Sequence, residues 1–297
     1  MGLLNYANLA TEQAHPRSRN LDDLSPSQII RLMNEEDRQV LKAIRRAEPQ
    51  ISRTIRLIVN ALRQGGRLIF VGAGTSGRLG VIEAAECPPT FNTPPSLIQA
   101  VMAGGRSAVF RSKEGAEDSV TEAVSACRRV GVGRRDVVVG IAASGVTPFV
   151  QAALKFSKGR MAHTVLLTCN PASPRHLAHM MITLRTGPEI LAGSTRLKAG
   201  TACKMALNML TTASMVQLGK VYGNRMVDLQ PKSKKLAARG LHLIRQLGRV
   251  SQIEAARLSK EARGHVKVAI VMARKKMSYP AAVEELKRVK GFLREIL

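Results

Sequence analysis

Hydroxyl and glycine residues with the spacing that chemistry requires are densest in 67–89, RLIFVGAGTSGRLGVIEAAECPP. A short apolar run, Leu68, Ile69, Phe70 and Val71, reads as a strand. It enters a glycine-rich turn carrying Thr75 and Ser76, then a helix-like segment that ends at Glu86. Amides at the start of such a helix have no intrahelical acceptors and sit at the positive end of its dipole, so the turn suits a phosphate or carboxylate. Gly72, Gly74 and Gly77 also satisfy the spacing of a dinucleotide fingerprint, which wants an acidic residue about 20 positions further on. That region reads LIQAVMAGG and has no acid. A second loop, after the apolar run 136–142, repeats the hydroxyls with Ser144 and Thr147. Hydroxyls from two or three loops suit a compact phosphate monoester better than a pyrophosphate.

The elements that must position these loops follow from periodicity. Ser25, Pro26 and Gln28 form a helix start with a capping box, and Ile29, Ile30, Leu32, Met33, Val40, Leu41 and Ile44 continue at helical spacing. A second helix is predicted after Pro49, with Ile51, Ile55, Ile58 and Leu62 on one stripe and Gly65-Gly66 as its stop. Strands are predicted at 97–102, 136–142, 164–168 and 180–184, with helices from about 116, at 148–156 and at 197–218. Alternation of this kind indicates an α/β fold, a parallel sheet covered by helices on both faces, with ligands beyond the carboxyl ends of its strands. From 232 onward the composition shifts to helix formers and bases, and segments 236–247, 253–262, 266–273 and 279–297 suggest a small helical domain. The expected division is therefore 1–231 and 232–297.

Bulk properties exclude several classes. The formal charge of +25 raises nucleic-acid binding, but the chain has no Trp, three Tyr and six Phe, a poor supply for base stacking. A basic, solvated surface without a nucleic-acid partner is the reading adopted. The cysteines Cys87, Cys127, Cys169 and Cys203 are scattered, so reduced thiols and no metal are expected. His176 and His179 read as a polar face rather than a metal pair. No apolar run is long enough for a membrane span. The opening residues lack a signal-peptide layout, and Tyr6 stands where a myristoylation signal wants Ser or Thr, so a cytoplasmic location is expected.

The runs VGAGTSGRLGVIEAAECPPTF, EGAEDS, DVVVGIAASGVTP, CNP, GPEILAGSTRLKAGTA and NMLTTASM, followed by GKVYGNRMVDLQ, resemble the N-acetylmuramic acid 6-phosphate etherase family. TEQAHPRSRNLDDLS and the basic tail resemble it too, so the similarity covers nearly the whole chain. It implies a sugar isomerase (SIS) sandwich flanked by helices, with N-terminal helices and a small UBA-like C-terminal domain. It also implies a homodimer and cleavage of the lactyl ether of a phosphosugar, without cofactor or metal. By resemblance the two active-site carboxylates are Glu86, in AAECPP, and Glu117, the second Glu of EGAED; Glu114 and Asp118 stay open as alternatives to Glu117. On the residues alone, Glu86 reads as a helix-end surface group and Glu117 as a first-turn dipole partner. Thr75, Ser76, Ser144 and Thr147, with the amides of Gly77 and Gly145, are assigned to the phosphate. Ser194, Thr195 and Lys198 lie in a third loop expected near the sugar, where Lys198 reads equally as a solvated helix-start residue.

The chain departs from the family pattern at Val146, where Arg is usual, at Asn92, where Gly is usual, and at Cys203, where Gln is common. The tail PKSKKLAARG is also unusually basic. A phosphosugar aldose-ketose isomerase and a non-catalytic sugar-phosphate sensor on the same fold are the rival readings, and release of lactate separates the etherase from both.

Overall fold

A computed structural model describes residues 9–173, 175–231 and 233–297. Tyr6, and the division expected at Lys232, fall outside the described residues. Ser25 starts the first helix as its sequence requires: its hydroxyl accepts from the Gln28 amide, and the Gln28 side chain accepts from the Ser25 amide. That helix, α1, runs Pro26–Arg63 with Pro49 inside it, whereas the sequence predicts two helices divided there. Proline removes one hydrogen bond and crowds the preceding turn. The apolar stripe nevertheless stays in phase across it, burying Val40, Ala43, Ile44 and Ala47 before Pro49 and Ile51 and Ile58 after it, so packing carries the helix through.

Strand β1 (Leu68–Gly72) leads into α2 (Gly74–Phe91), followed by β2 (Ile98–Met102), the single turn α3 (Ser107–Phe110) and α4 (Val120–Val130). Next come β3 (Val137–Ile141), α5 (Pro148–Gly159), β4 (His163–Thr168), β5 (Met180–Thr183) and α6 (Lys198–Gln217). The tail supplies α7 (Lys234–Gly248), α8 (Gln252–Glu261), α9 (Val266–Lys275) and α10 (Tyr279–Arg288). The last of these stops well before 297, the end expected from its sequence, and a 3₁₀ turn at Leu293–Glu295 follows. Two other helices depart furthest from their predicted ends. Beyond Glu86, α2 continues through Pro88 and Pro89, because the fixed φ of proline is itself helical. It closes at Asn92, whose φ of 52° explains why Asn can stand where Gly is usual: it is among the side chains that best tolerate this region. The helix expected from about 116 begins only at Val120, since Ser119 caps it by accepting from the Glu122 amide; Ala116–Asp118 is a 3₁₀ turn instead.

The sheet has the order β2-β1-β3-β4-β5, with every pairing parallel. All five positions of β1 and of β3 are buried, which is why both read as unbroken apolar runs. The chain leaves β1 in one direction for β2 and returns on the other side as β3, so the crevice between their carboxyl ends is the switch point where ligands bind in such sheets. The loops bearing Thr75 and Ser144 begin there.

Two compact units are present. The first takes in the chain up to Ala84 together with Ser96–Thr211, and holds the sheet. The second consists of Ala85–Pro95 and Thr212–Leu297, with its own core of residues such as Leu229, Ile244, Ile270 and Leu293. Inside that core Lys267 donates to the Gly219 carbonyl at 2.9 Å and pairs with Asp228 at 3.2 Å, while burial pulls its pKa down. No helix among the described residues is long and apolar enough to cross a membrane.

At the amino ends of β1 and β3, Asp136 accepts from the Arg67 amide and Nε, both at 3.0 Å, and from the Gly133 amide at 2.9 Å. The Arg67 guanidinium also donates to the carbonyls of Val130 and Gly131. One ion pair therefore closes four backbone positions. Replacing Asp136 with Ala should cost about 3 kcal/mol, the scale for breaking a largely buried pair, read as a lower urea midpoint by circular dichroism. An unchanged midpoint would show the pair to be dispensable.

Candidate active site

Helix α2 starts two residues after β1 ends, and only glycine allows so tight a turn. A Cβ on Gly72 would lie 2.7 Å from the Gly77 nitrogen, and one on Gly77 would lie 2.7 Å from the Gly72 oxygen. The turn also engages the Gly77 amide, which donates to the Ala73 carbonyl at 3.0 Å. The Gly145 amide likewise donates to Ala142 at 2.9 Å. Both were expected to face a phosphate; both are committed within their own turns. The amides of Thr75 and Ser76, at the very start of α2, are the ones without a preceding helical turn to accept them.

A cavity of about 180 Å³ opens at this turn, lined by Ala73, Gly74, Met102, Lys113, Glu114 and Glu117 among others. The structure thus brings the glycine-rich turn together with the EGAED segment. Glu114 and Glu117 both line the cavity, whereas Asp118, exposed on the same 3₁₀ turn, is not among its lining residues. Two residues overlooked in the sequence hold its walls. Arg78 donates to the carbonyls of Val109 and Ala108 at 2.8 and 2.9 Å, and Glu122 accepts from the Gly104 amide at 3.1 Å. Arg78 lies inside the glycine-rich run, which was a usable signal; Glu122 carried none, being one more polar residue of a helix start.

The second loop stands beside the first at the carboxyl end of β3. Ser144 and Thr147 are half-buried, and Thr147 precedes α5 without capping it through its side chain, so its hydroxyl is not spent on that helix. The Ser144 oxygen accepts from the Val146 amide at 3.4 Å, and its carbonyl accepts from Asn170 at 3.1 Å. Val146 itself is buried and gives the loop no charge. Gly145 has a φ of 75°, and a Cβ there would fall 1.7 Å from the Ser173 oxygen. Ser173 in turn bonds Thr168 at 3.0 Å and the Asn170 carbonyl at 2.8 Å, so the loop after β4 buttresses the loop after β3.

The third loop differs most from its sequence reading. Ser194 and Thr195 are half-buried, but Lys198 is only 3% exposed, neither solvated nor free for a sugar. Its ammonium pairs with Glu36 at 2.8 Å, and Glu36 also receives His15 at 3.0 Å. Burial alone would raise the Glu36 carboxyl, but the bonds and charges of Lys198 and His15 outweigh it and hold the pKa below the ordinary range. Glu189 closes the start of α6 by accepting from the amides of Lys198 and Ala199 at 3.1 and 2.8 Å, while its burial pushes its own pKa up. Cys203 is buried against Cys169, whose thiol is pushed well up by that contact and by burial.

Glu86 is exposed and belongs to the second unit. Three positions earlier on the same helix, and within the first unit, buried Glu83 accepts from Asn208 and, at 2.7 Å, from Thr211. Among the described residues no group of three His, Cys, Asp or Glu could hold a metal ion.

The family model for the glucokinase regulatory protein N-terminal SIS domain matches residues 50–158. The N-acetylmuramic acid 6-phosphate etherase of Geobacillus thermodenitrificans is 48% identical over 290 residues, 97% of this chain and 98% of its own. That of Gloeothece citriformis is 51% identical over 265 residues, 89% of this chain and 87% of its own. A solved phosphoheptose isomerase from Francisella tularensis shares the fold, with a TM-score of 0.50 at 16% identity, over 65% of this chain and 100% of that one.

The buried Lys198 pair gives a pH-dependent prediction. A carboxyl with a lowered folded pKa adds stability at neutral pH that is lost as the pH falls through that value. Glu36→Gln should therefore destabilise by roughly 3–5 kcal/mol at pH 7, leaving the ammonium without its paired carboxylate. The gap to wild type should narrow on acidification, because protonating Glu36 removes the same charge. Urea unfolding at neutral and acid pH checks this; a gap independent of pH would contradict it.

Proposed function

The chain belongs to the N-acetylmuramic acid 6-phosphate etherase family, and we propose that it cleaves the lactyl ether of that phosphosugar to N-acetylglucosamine 6-phosphate and D-lactate. The observation that carries the proposal is the cavity in which Glu117 shares walls with the turn that starts α2.

The chemistry asks for little more than proton transfer and an anchor. In the open-chain sugar the aldehyde acidifies the proton on carbon 2. A base removes it, the bond from carbon 3 to the ether oxygen breaks, and an acid protonates the departing lactate. Water then adds to carbon 3 of the unsaturated aldehyde, and carbon 2 regains a proton. The sum is substrate plus water, with no change of oxidation state. Glu117 is assigned the carbon 2 proton, and Glu86 the leaving oxygen and later the water; one protonated and one ionised carboxyl is how such pairs divide the work. Thr75 and Ser76, at the positive end of α2, and the hydroxyls of Ser144 and Thr147 anchor the phosphate. Ser194 and Thr195 border the sugar. Lys198 acts through Glu36 to hold that loop rather than by touching substrate. The proposal includes a cytoplasmic homodimer acting in the recycling of cell-wall muramic acid, which rests on the family alone.

Purified protein incubated with N-acetylmuramic acid 6-phosphate should release D-lactate and N-acetylglucosamine 6-phosphate in equal amounts; no release at high enzyme concentration would sink the proposal. Glu117→Gln and Glu86→Gln should each lower kcat by about 10²–10⁴-fold, the usual contribution of a positioned acid or base, with fold and substrate binding retained. Near-normal turnover in either variant removes that residue from its role.

A further inference from the structure

A larger cavity, of about 460 Å³, lies at the far edge of the sheet, lined by Arg46 and Gln50 of α1 and by Ala178, His179, Met180, Met181, Thr183 and Arg185. The turn-lined cavity includes Met102 of β2, the opposite edge strand. Four strand spacings, roughly 19 Å, separate the two edges.

Three features of this cavity point to a ligand. The guanidiniums of Arg46 and Arg185, on exposed residues, have no hydrogen bond or ion pair among the described residues, so two unpaired cations line one concavity. The side-chain oxygen of Gln50 is buried with no partner, and a buried acceptor left unmade costs on the order of 1–3 kcal/mol. His179 is neutral by its bonding: its Nδ1 accepts from the Thr164 amide at 3.2 Å and meets the Thr164 hydroxyl at 2.8 Å. Its hydrogen therefore sits on Nε2, as a donor. Burial and the neighbouring Lys158 and His163 lower its pKa and favour the same state.

We infer that this cavity is a second anion site, for a small phosphate whose charge is held by Arg46 and Arg185 and which donates a hydroxyl to Gln50, on phosphorus in the monohydrogen phosphate ion or on the alcohol part of a monoester. Guanidinium matches phosphate oxygens two at a time, and the pairing is stronger than between neutral groups. The orphaned Gln50 oxygen selects an anion that carries a donor over one that does not. This site is independent of the proposed ether cleavage.

Methionine methyl groups report on both cavities at once, because Met180 and Met181 line this one and Met102 lines the other. Full-length protein labelled at its methionine methyls would be titrated with inorganic phosphate at constant ionic strength and followed by NMR. The Met180 and Met181 signals should shift to saturation, and sulfate, which has no proton to donate at neutral pH, should bind more weakly. In Arg46→Gln/Arg185→Gln the apparent affinity at these two methyls should fall at least about tenfold, the scale of losing charge-assisted bonds, while any Met102 response is unchanged. The single variant Arg185→Gln should weaken it in the same direction. Absence of a saturable shift at Met180 and Met181, its persistence in the double variant, or equal binding of sulfate overturns the inference. D-lactate release is not read in this experiment, so failure here leaves the etherase proposal standing, and the reverse holds.

Discussion

The parallel pairing of β1 on both sides is the constraint from which the candidate site follows. Leu68 is level with Ile98 and Val137 at one end, and Gly72 with Met102 and Ile141 at the other. A strand paired twice and buried along all five residues cannot slip its register without moving apolar side chains out of the core. The chain therefore leaves the sheet at one level in three neighbouring places: at Ala73 toward α2, at Ala103 toward the EGAED segment, and at Ala142 toward the Ser144 loop. Glycine-rich exits at this level are affordable because the sheet beneath them is rigid. The tight contact of Gly72 with Gly77 then aims the start of α2 at the cavity.

Buried charges hold the frame around that sheet, each met by an opposite charge or by hydrogen bonds. Asp136 ties the amino ends of β1 and β3 through Arg67, and Glu36 and Glu189 tie the start of α6 through the ammonium and amide of Lys198. The second unit repeats the device with Lys267 and Asp228. Such pairs add little net stability over apolar packing of the same shape, but losing one partner is costly. They fix the ends of segments whose own sequences, rich in Gly, Ser and Thr, set few limits on the backbone.

What could be read in the sequence was local. Each β-strand shows as an apolar run closed by a turn, and the hydroxyls of Thr75 and Ser144 stand out because they follow such runs directly. What could not be read depended on partners far along the chain. Lys198 looks like a solvated helix-start residue until Glu36, 162 positions away, is brought to its ammonium. Pro49 looks like a break because the local rule disfavours it, and the rule is overridden by a buried stripe that matches the sheet on both sides. The Gly77 and Gly145 amides look available because sequence does not show which turn carbonyl they meet. Glu117 and Asp118 are adjacent in sequence, and only the 3₁₀ turn that carries them separates the one that lines the cavity from the one that does not.

The charge of +25 is a surplus of bases that internal pairing leaves untouched, because each ion pair withdraws one base with its acid. With 46 basic residues and 21 acidic ones, most bases can have no acid, and structural pairs consume several of the acids: Asp136, Glu36 and Asp228 are all committed inside the protein. The carboxylates on the cavity wall cannot be spared to neutralise bases if they are to move protons. The remaining lysines and arginines set up a positive field that concentrates small anions near the surface, an effect that weakens with salt. A substrate carrying both a phosphate and the carboxylate of its lactyl group gains twice from that field. A field of this kind draws in anions without telling one from another, so discrimination has to come from groups fixed in position, such as those the sheet's switch point holds in place.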